Sequence, residues 1–292
     1  MAITDRIPYQ SLFDRPKLTL PGGKKLAFWV ILNVEDWRIE NSMPRTVLSP
    51  PMGQPMLPDV PNWSWHEYGM RAGFWRQLKA LTDRNIPITL AINGNVCNSY
   101  PRVAEAAREA GCEFMGHGFV QGPMHKVENQ NDAIRRTVDT IGKFTGKAPR
   151  SWESPGLTEN NETLDLLRAN GIEYVADWVI DDLPQDIQTP SGIITSVPYT
   201  VETNDIVIHA LQHLPSDVFV QRCKDQFDRL YLEGADNARV MALSIHPYIT
   251  GVPHRIRYLE EVLDYVISHD GVALMTASEI GDWYRNEMRA KA

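Results

Sequence analysis

Short apolar runs alternate along the chain with segments in which apolar residues recur every three or four positions. Residues 26–32 are apolar throughout, as is typical of a strand buried on both faces. Further strands are predicted at residues 87–92, 112–115, 150–153, 172–176, 240–245 and 272–275. Helices are predicted at residues 74–81, 101–110, 134–141, 162–169, 219–230, 256–266 and 279–288. The alternation predicts an α/β fold of parallel strands, and it leaves open whether the sheet closes into a barrel or stays doubly wound.

Two stretches interrupt this alternation. Residues 44–61 hold six prolines, and with their flanks they predict a proline-rich loop insertion at about 38–68 in a single catalytic domain of residues 1–292. A loop of this length is typical of a lid, a binding loop or an interface arm, although a surface excursion without function is the alternative. In the second stretch, residues 193–197 and 201–208 predict an additional hairpin.

The composition is that of an ordinary globular protein, with 43% hydrophobic and 23% charged residues among 292. Lysine and arginine total 29 against 37 aspartates and glutamates, so the net charge of −8 argues against nucleic acid or an anionic membrane as a partner. No apolar run approaches the ~18 residues of a membrane span. The first residues carry no secretory signal and the three cysteines lack metal-type spacing, which predicts a reducing, cytoplasmic location.

Polar residues follow most of the predicted strands at their C-terminal ends. In α/β folds these ends share one rim, and active sites are built there. We therefore expect the polar side chains to meet in one cleft, although adjacent carboxylates on a strand point to opposite faces and a lone histidine is often a core residue. The positions are Asn33, Glu35, Asp36, Asn93, Asn95, His117, Glu153, Asp177, Asp181, Asp182 and His246. The sequence has no Gly-rich phosphate loop and no nucleophile elbow, which leaves carboxylate and imidazole chemistry, with or without a metal.

At this rim the chain resembles the polysaccharide deacetylase family, and within it the branch of allantoinases and cyclic imide hydrolases. The family's motifs are Thr-Phe-Asp-Asp-Gly, His-(Ser/Thr)-x-x-His, an Arg-x-Pro-x-Gly-like segment and a late Leu-x-x-His. The corresponding segments here are residues 33–37, 117–121, 152–156 and 243–246, and stretches 67–75, 181–184 and 197–205 also resemble that branch. The resemblance covers about residues 26–285 and implies a distorted (β/α) barrel of about seven parallel strands.

The chain departs from the family at the expected metal site. Typical members bind a divalent metal through the second aspartate of the first motif and both histidines of the second. Asp36 and His117 match two of these ligands, but Gln121 replaces the third, and a neutral amide oxygen is a poor ligand for zinc. The arginine of the third motif is also missing. The resemblance therefore implies no cofactor; should a metal bind, zinc at Asp36 and His117 is expected.

We accordingly predict a metal-independent hydrolase that opens a small cyclic amide, of the cyclic imide, hydantoin or allantoin type, at a C–N bond. The alternatives are a metal-dependent polysaccharide N-deacetylase and a binding module without activity. The tryptophan-rich rim favours simple imides. The family's oligomers imply a homo-oligomer, with a tetramer as the example.

The resemblance also implies roles for individual residues. Glu35 is expected to be the general base, with Asp36 orienting the water or sharing its proton. His246 is expected to protonate the leaving nitrogen, and His117 to stabilise the oxyanion with backbone N–H groups. Expected substrate contacts are Arg71, Asn93, Gln121, Trp152, Glu153, Pro155 and Tyr199.

Overall fold

The computed structural model describes residues 3–44 and 47–291. Its strands are β1 Leu26–Val34, β2 Ile88–Ile92, β3 Glu113–Gly116, β4 Ser151–Trp152, β5 Tyr174–Val175, β6 Gln185–Thr189, β7 Gly192–Ser196, β8 Arg239–Ile245 and β9 Val272–Leu274. Its α-helices are α1 Val60–Tyr68, α2 Phe74–Thr82, α3 Val96–Ser99, α4 Pro101–Glu109, α5 Gln130–Thr145, α6 Thr163–Ala169, α7 Ser216–Glu233, α8 Ile256–Ile267 and α9 Ala277–Lys291. Two π-helical segments lie at Gly69–Gly73 and Ile206–Leu211.

The strands form one curled sheet in the order β6–β7–β5–β4–β3–β2–β1–β8. The pairs between neighbouring strands are parallel except for β6 with β7. Strand β9 pairs with the first three residues of β1, on the edge that β2 occupies farther along that strand. Because nearly all strands run the same way, their C-terminal ends lie at one rim of this half-barrel, as the alternating pattern predicts.

Strand β1 is buried on both faces, which explains why its sequence is apolar throughout. Phe28 and Leu32 pack on one face with the buried sides of α2, α4, α7 and α8. Trp29 and Ile31 pack on the other face, in the interior of the sheet, where Trp283 of α9 also lies. No helix within the described part of the chain is long and apolar enough to cross a membrane.

The proline-rich insertion is shorter than predicted. Residues 60–68 form helix α1, so the loop ends at Asp59, whose side chain caps the helix by accepting from the backbone N–H of Asn62 at 3.3 Å. The amide of Asn62 in turn accepts from the backbone N–H groups of Val47 and Leu48 at 2.7 and 3.0 Å, which fastens the loop to the helix. Residues 45 and 46 of the predicted loop lie outside the described part.

The prediction of an additional hairpin names the wrong partner for its first strand. Gly192–Ser196 is a strand, but it pairs antiparallel with Gln185–Thr189, not with residues 201–208. The latter residues instead enter the π-helical segment Ile206–Leu211. Short apolar runs do not distinguish strand from helix by period alone, which is the physical reason for the error.

Candidate active site

A cavity of about 890 Å³ opens at the C-terminal rim of the sheet. The ends of β1, β3, β4 and β8 and the loops after β1 and β7 supply its walls. Its polar lining residues include Asn33, Glu35, His117, Gln121, Glu153, Tyr199, Asn204 and His246, and Trp37, Pro155 and Leu157 are among the apolar ones. The rim residues predicted from six strands therefore meet in part, and those that meet are Asn33, Glu35, His117, Glu153 and His246.

Glu35 lies at the centre of the cluster. Its Oε1 is 3.8 Å from Nε2 of His117 and 3.9 Å from Nε2 of His246. The indole N–H of Trp37 donates to Oε2 at 2.8 Å, and the amide of Gln121 donates to Oε1 at 2.8 Å. A carboxylate held by two neutral donors between two imidazoles can accept a proton from a water placed beside it.

His246 is held by a carboxylate that none of the sequence motifs identifies. Its Nδ1 lies 2.7 Å from Oδ1 of Asp205, and its backbone N–H donates to Oδ2 of the same residue at 2.8 Å. The hydroxyl of Thr250 also donates to Oδ2, at 2.8 Å. Because Nδ1–H donates to the carboxylate, Nε2 is the atom that faces the cavity and Glu35.

His117 is held by a backbone group instead. Its Nδ1 lies 2.7 Å from the carbonyl oxygen of Glu153, so Nδ1 carries a proton and Nε2 becomes a donor only in the imidazolium form. Burial lowers the pKa of His117, but the carboxylates of Glu35 and Glu153 raise it by a larger amount. The net pKa therefore lies above the usual value. The site thus favours a cationic donor at Nε2.

Two glycines beside His117 allow this placement. A Cβ at Gly116 would lie 2.5 Å from the ring of Trp152, so only glycine fits beneath that ring. Gly118 adopts φ +73°, the left-handed region, which turns the chain away from the strand toward Gln121.

The amide of Gln121 has its orientation set by backbone groups. The backbone N–H of Asp36 donates to Oδ1 of Asn93 at 2.8 Å, so the nitrogen of the Asn93 amide faces the carbonyl of His117 and Oε1 of Gln121, the latter at 3.0 Å. Oε1 of Gln121 is therefore an acceptor engaged away from the cluster. Its Nε2 faces Glu35 and lies 3.3 Å from Nε2 of His117.

Asp36 is not part of the cavity lining, contrary to the expectation that it orients the water. Its carboxylate accepts from Asn95 at 2.6 Å and from Ser99 at 3.2 Å, both on the side of helix α3. Glu35 and Asp36 are adjacent in an extended segment, and their side chains diverge for that reason. The Asp36 carboxylate thus holds the loop after β2.

Glu153 is a buried carboxyl group at the cavity wall. It is 3% exposed, and its Oε2 has no hydrogen-bond partner among the described residues. Burial raises the pKa of Glu153 to about 7, against the opposing effect of His117. The hydroxyl of Tyr199 is a hydrogen-bonding neighbour of this carboxyl. A buried carboxyl oxygen without a close partner requires an explanation, and a polar group of a bound molecule is one.

The remaining predicted contacts divide into two groups. Pro155 and Tyr199 line the cavity. Arg71 does not: its side chain is 75% exposed and forms an ion pair with Glu67 at 2.7 Å. Asn93 and Trp152 are fully buried outside the lining, where Asn93 orients Gln121 and Trp152 donates to Ser154 at 3.0 Å.

The acidic residues after β5 also lie elsewhere. Asp177 accepts from the backbone N–H of Ser154 at 2.6 Å, so it supports the segment that carries Glu153. Asp181 forms an ion pair with Arg15, and the backbone carbonyl of Asp182 accepts from Val240 at 2.9 Å. These residues therefore stabilise the rim rather than line the cavity.

Comparison with known proteins places this geometry in a family. A family model described as polysaccharide deacetylase matches residues 64–175. A Schizosaccharomyces pombe protein classed as a polysaccharide deacetylase is 32% identical over 237 residues, which cover 74% of this chain and 74% of the relative. The chain belongs to the polysaccharide deacetylase family. Its class of reaction is therefore hydrolysis of C–N bonds.

Solved structures of the family share the fold. A probable polysaccharide deacetylase of Pseudomonas aeruginosa PAO1 is 26% identical, with a TM-score of 0.85 over 94% of this chain and 95% of that chain. PuuE allantoinase is also 26% identical, with a TM-score of 0.84 over 93% of this chain and 94% of that chain. The predicted distorted (β/α) barrel of the polysaccharide deacetylase type is thereby confirmed.

The residues at the family's metal positions do not fit a three-ligand site. The Asp36 carboxylate faces Asn95 and Ser99, so it does not share an ion with His117. Gln121 turns an amide nitrogen toward the cluster, and an N–H donor cannot coordinate a cation. Within the described part of the chain, no three His, Cys, Asp or Glu side chains are placed to hold an ion. The described side chains therefore do not form the family's three-ligand site, and zinc at Asp36 and His117 stays a conditional prediction.

Sequence reasoning missed several residues of this family site. Asp205 was part of a stretch that resembles the allantoinase branch, and its position before the apolar residues 206–208 was the available signal. Asn33 was noted only as a polar residue at a strand end, and Asn204 carried no signal of its own. Their importance depends on hydrogen bonds across the sheet, to Ser244 and Tyr199.

Proposed function

We propose that this chain is a cyclic amide hydrolase that opens a ring C–N bond with water and without a catalytic metal. The orientation of Gln121 carries the proposal, because it places an N–H donor where the family has a metal ligand. Glu35 then contacts two imidazoles and two N–H donors, a set suited to general acid–base chemistry. The resemblance of the fold to PuuE allantoinase supports the same reading.

In this mechanism Glu35 removes a proton from water as the oxygen attacks the ring carbonyl. The carbonyl electrons move to oxygen, where the imidazolium Nε2–H of His117 and the amide N–H of Gln121 stabilise the oxyanion. The oxyanion then collapses and the C–N bond breaks. His246, held by Asp205, donates the proton of its Nε2 to the leaving nitrogen.

The products are a carboxylic acid and an amide on one opened chain. The proton on Glu35 then returns to Nε2 of His246 across the short gap between them, 3.9 Å in this structure. An acylated nitrogen is a better leaving group than an amine, because its electron pair is delocalised. The ring therefore needs less Lewis-acid assistance than an N-acetyl amine does.

Replacement of Glu35 tests the proposal directly. Glu35→Gln keeps the shape of the side chain but removes the base, so kcat on a cyclic imide falls by at least ~100-fold. Asp36→Asn is the matched control, since Asp36 is adjacent in sequence but lies outside the cavity lining; this variant retains most of the turnover. Near-normal kcat in Glu35→Gln contradicts the assignment.

The second candidate is a metal-dependent N-deacetylase, which the name of the Schizosaccharomyces pombe relative favours. Elemental analysis of the purified protein, with turnover of allantoin, hydantoin, succinimide and an N-acetylglucosamine oligomer before and after EDTA, separates the two. Ring opening that resists EDTA supports our proposal. Acetate release that EDTA abolishes supports the deacetylase.

A further inference from the structure

The hydroxyl of Tyr199 occupies a defined place in a buried hydrogen-bond chain. Tyr199 follows β7, lines the cavity and is 7% exposed. Its Oη lies 2.8 Å from Oγ of Ser244 and 3.1 Å from Nδ2 of Asn204. The direction of these two hydrogen bonds decides where the proton of Tyr199 points.

Backbone groups set that direction. Oδ1 of Asn204 accepts from the N–H of Ile206 at 3.0 Å, so Nδ2 of Asn204 donates to Tyr199. Asn33 donates through Nδ2 to the carbonyl of Ile245 at 3.2 Å and to Oγ of Ser244 at 3.0 Å. Ser244 already accepts from Asn33, and within the described part of the chain Tyr199 is the remaining partner for its proton.

Tyr199 therefore accepts two hydrogen bonds, and its own proton is directed to the carboxyl of Glu153 at the cavity wall, where a bound acceptor can take it over. An unsatisfied buried hydroxyl proton on Ser244 would be destabilising, which disfavours the opposite direction. Burial and the nearby carboxyl of Glu153 raise the pKa of Tyr199 well above its usual value, so the phenol stays protonated. The structure thus presents a neutral, preorganised donor.

This donor lies on the side of the leaving group. Ser244 and His246 are two residues apart at the end of β8, so their side chains point to the same face of the sheet. Tyr199 contacts Ser244, and His246 delivers the proton to the leaving nitrogen in the proposed mechanism. A group bound to that nitrogen is thus the one within reach of Tyr199.

We propose that Tyr199 donates its hydroxyl proton to the second carbonyl oxygen of a substrate that contains a ring –C(=O)–NH–C(=O)– unit. This inference rests on the proposed function and names its substrate class: cyclic imides and hydantoin-type rings rather than lactams. As the C–N bond breaks, its electron pair moves to nitrogen and onto the second oxygen, where the hydroxyl stabilises it. The His246 proton then neutralises the nitrogen, and the Tyr199 proton stays on Tyr199.

The carboxyl of Glu153 fits the same unit. Glu153 and Tyr199 are hydrogen-bonding neighbours, and both line the cavity. A ring N–H next to the second carbonyl would give Oε2 of Glu153 the hydrogen bond it lacks in the described structure. In the protein, the acceptor Glu153 lies beside the donor Tyr199. This pair complements a substrate in which an N–H lies beside a C=O.

The test is Tyr199→Phe, assayed on succinimide, glutarimide and hydantoin, whose ring N–H groups differ in acidity, with 2-pyrrolidinone as the lactam. Loss of one oxyanion-type donor lowers kcat by ~10²-fold, and the loss is greatest for the least acidic N–H. The dependence of log kcat/KM on leaving-group pKa therefore becomes steeper than in the wild type. The lactam lacks the second carbonyl that Tyr199 would contact. We therefore expect the wild-type protein to turn over the lactam no faster than Tyr199→Phe turns over the imides.

Tyr174→Phe is the matched control, because it removes the hydroxyl of another buried tyrosine, which donates to Asp282 outside the cavity. This control keeps both the rate and the slope. A uniform loss across the series in Tyr199→Phe, or a loss below about threefold, overturns the role of Tyr199 while the ring-opening activity of the wild type stands. Absence of ring opening by the wild type overturns the proposed function and this inference together.

Discussion

The two histidines of the cavity are the same residue in different surroundings. His246 donates through Nδ1 to the carboxylate of Asp205, whereas His117 donates through Nδ1 to the backbone carbonyl of Glu153. Both Nε2 atoms lie nearly the same distance from Oε1 of Glu35, 3.9 and 3.8 Å. A carboxylate partner supports an imidazole that gains and loses a proton, and a carbonyl partner only holds the ring. In the proposed mechanism the hydrogen-bond partner, and not the residue type, therefore separates the acid from the oxyanion donor.

Among variants that test this difference between His246 and His117, Asp205→Asn is expected to have the largest effect. The amide removes the negative charge beside His246 and leaves the imidazole in the wrong protonation state, so kcat falls by roughly 10³-fold or more. Thr250→Val is the control, because it removes one hydrogen bond to the same carboxylate without contacting the ring. Steady-state kinetics and circular dichroism measure the outcome. Equal losses in both variants would assign Asp205 to stability alone.

The next largest effect is expected for His117→Gln. This change replaces a cationic donor by a neutral one near the oxyanion, and kcat falls by ~10²-fold with little change in KM. The comparison predicts a smaller loss than in Asp205→Asn, because the proton transfer to nitrogen remains. A loss as large as that of Asp205→Asn would show that His117 is itself a proton carrier.

The smallest effect on the maximal rate is expected for Glu153→Gln. This variant is expected to change the pH dependence of kcat/KM instead. The negative charge of Glu153 raises the pKa of His117, so its removal lowers that pKa. The imidazolium form is then lost at lower pH, and the alkaline limb of kcat/KM moves to lower pH. An unmoved alkaline limb would mean that His117 does not act as the imidazolium.

The same variant has a consequence for stability. Folding raises the pKa of Glu153 from 4.5 to about 7, so the folded state retains a proton that the unfolded state has released. The associated stability is present below about pH 4.5 and is lost as pH rises through 7. Glu153→Gln removes this loss, and its free energy of unfolding relative to the wild type increases between pH 5 and 8. Chemical denaturation at the two pH values measures it.

Much of the fold could be predicted from periodicity. The apolar run of β1, the helix positions of α5 and α8, and the polar residues at strand ends reflect burial, which each residue expresses locally. Gln185–Thr189 escaped prediction because its residues are mostly polar, and its strand conformation depends on pairing with β7. Pairing partners are not a local property.

The sequence predicted which residue types form the site, but not the directions in which their side chains point. Glu35, His117 and His246 follow strands whose ends share one rim, so their convergence follows from the order of the sheet. The divergence of Asp36, the exposure of Arg71 and the inverted amide of Gln121 depend on hydrogen-bond partners distant in sequence. A side-chain amide has no preferred face until such partners surround it.

The sequence by itself determined the alternation of strands and helices, the family and the loss of a strong third ligand at position 121. The tertiary structure alone decided that Asp205 holds His246, that Asn93 turns the nitrogen of Gln121 toward Glu35, and that Asn204 donates to the hydroxyl of Tyr199. A burial pattern can be read from consecutive residues, because the residue type at each position reflects whether that position is buried. The direction of a hydrogen bond is set by two groups at once, and only folding brings them together.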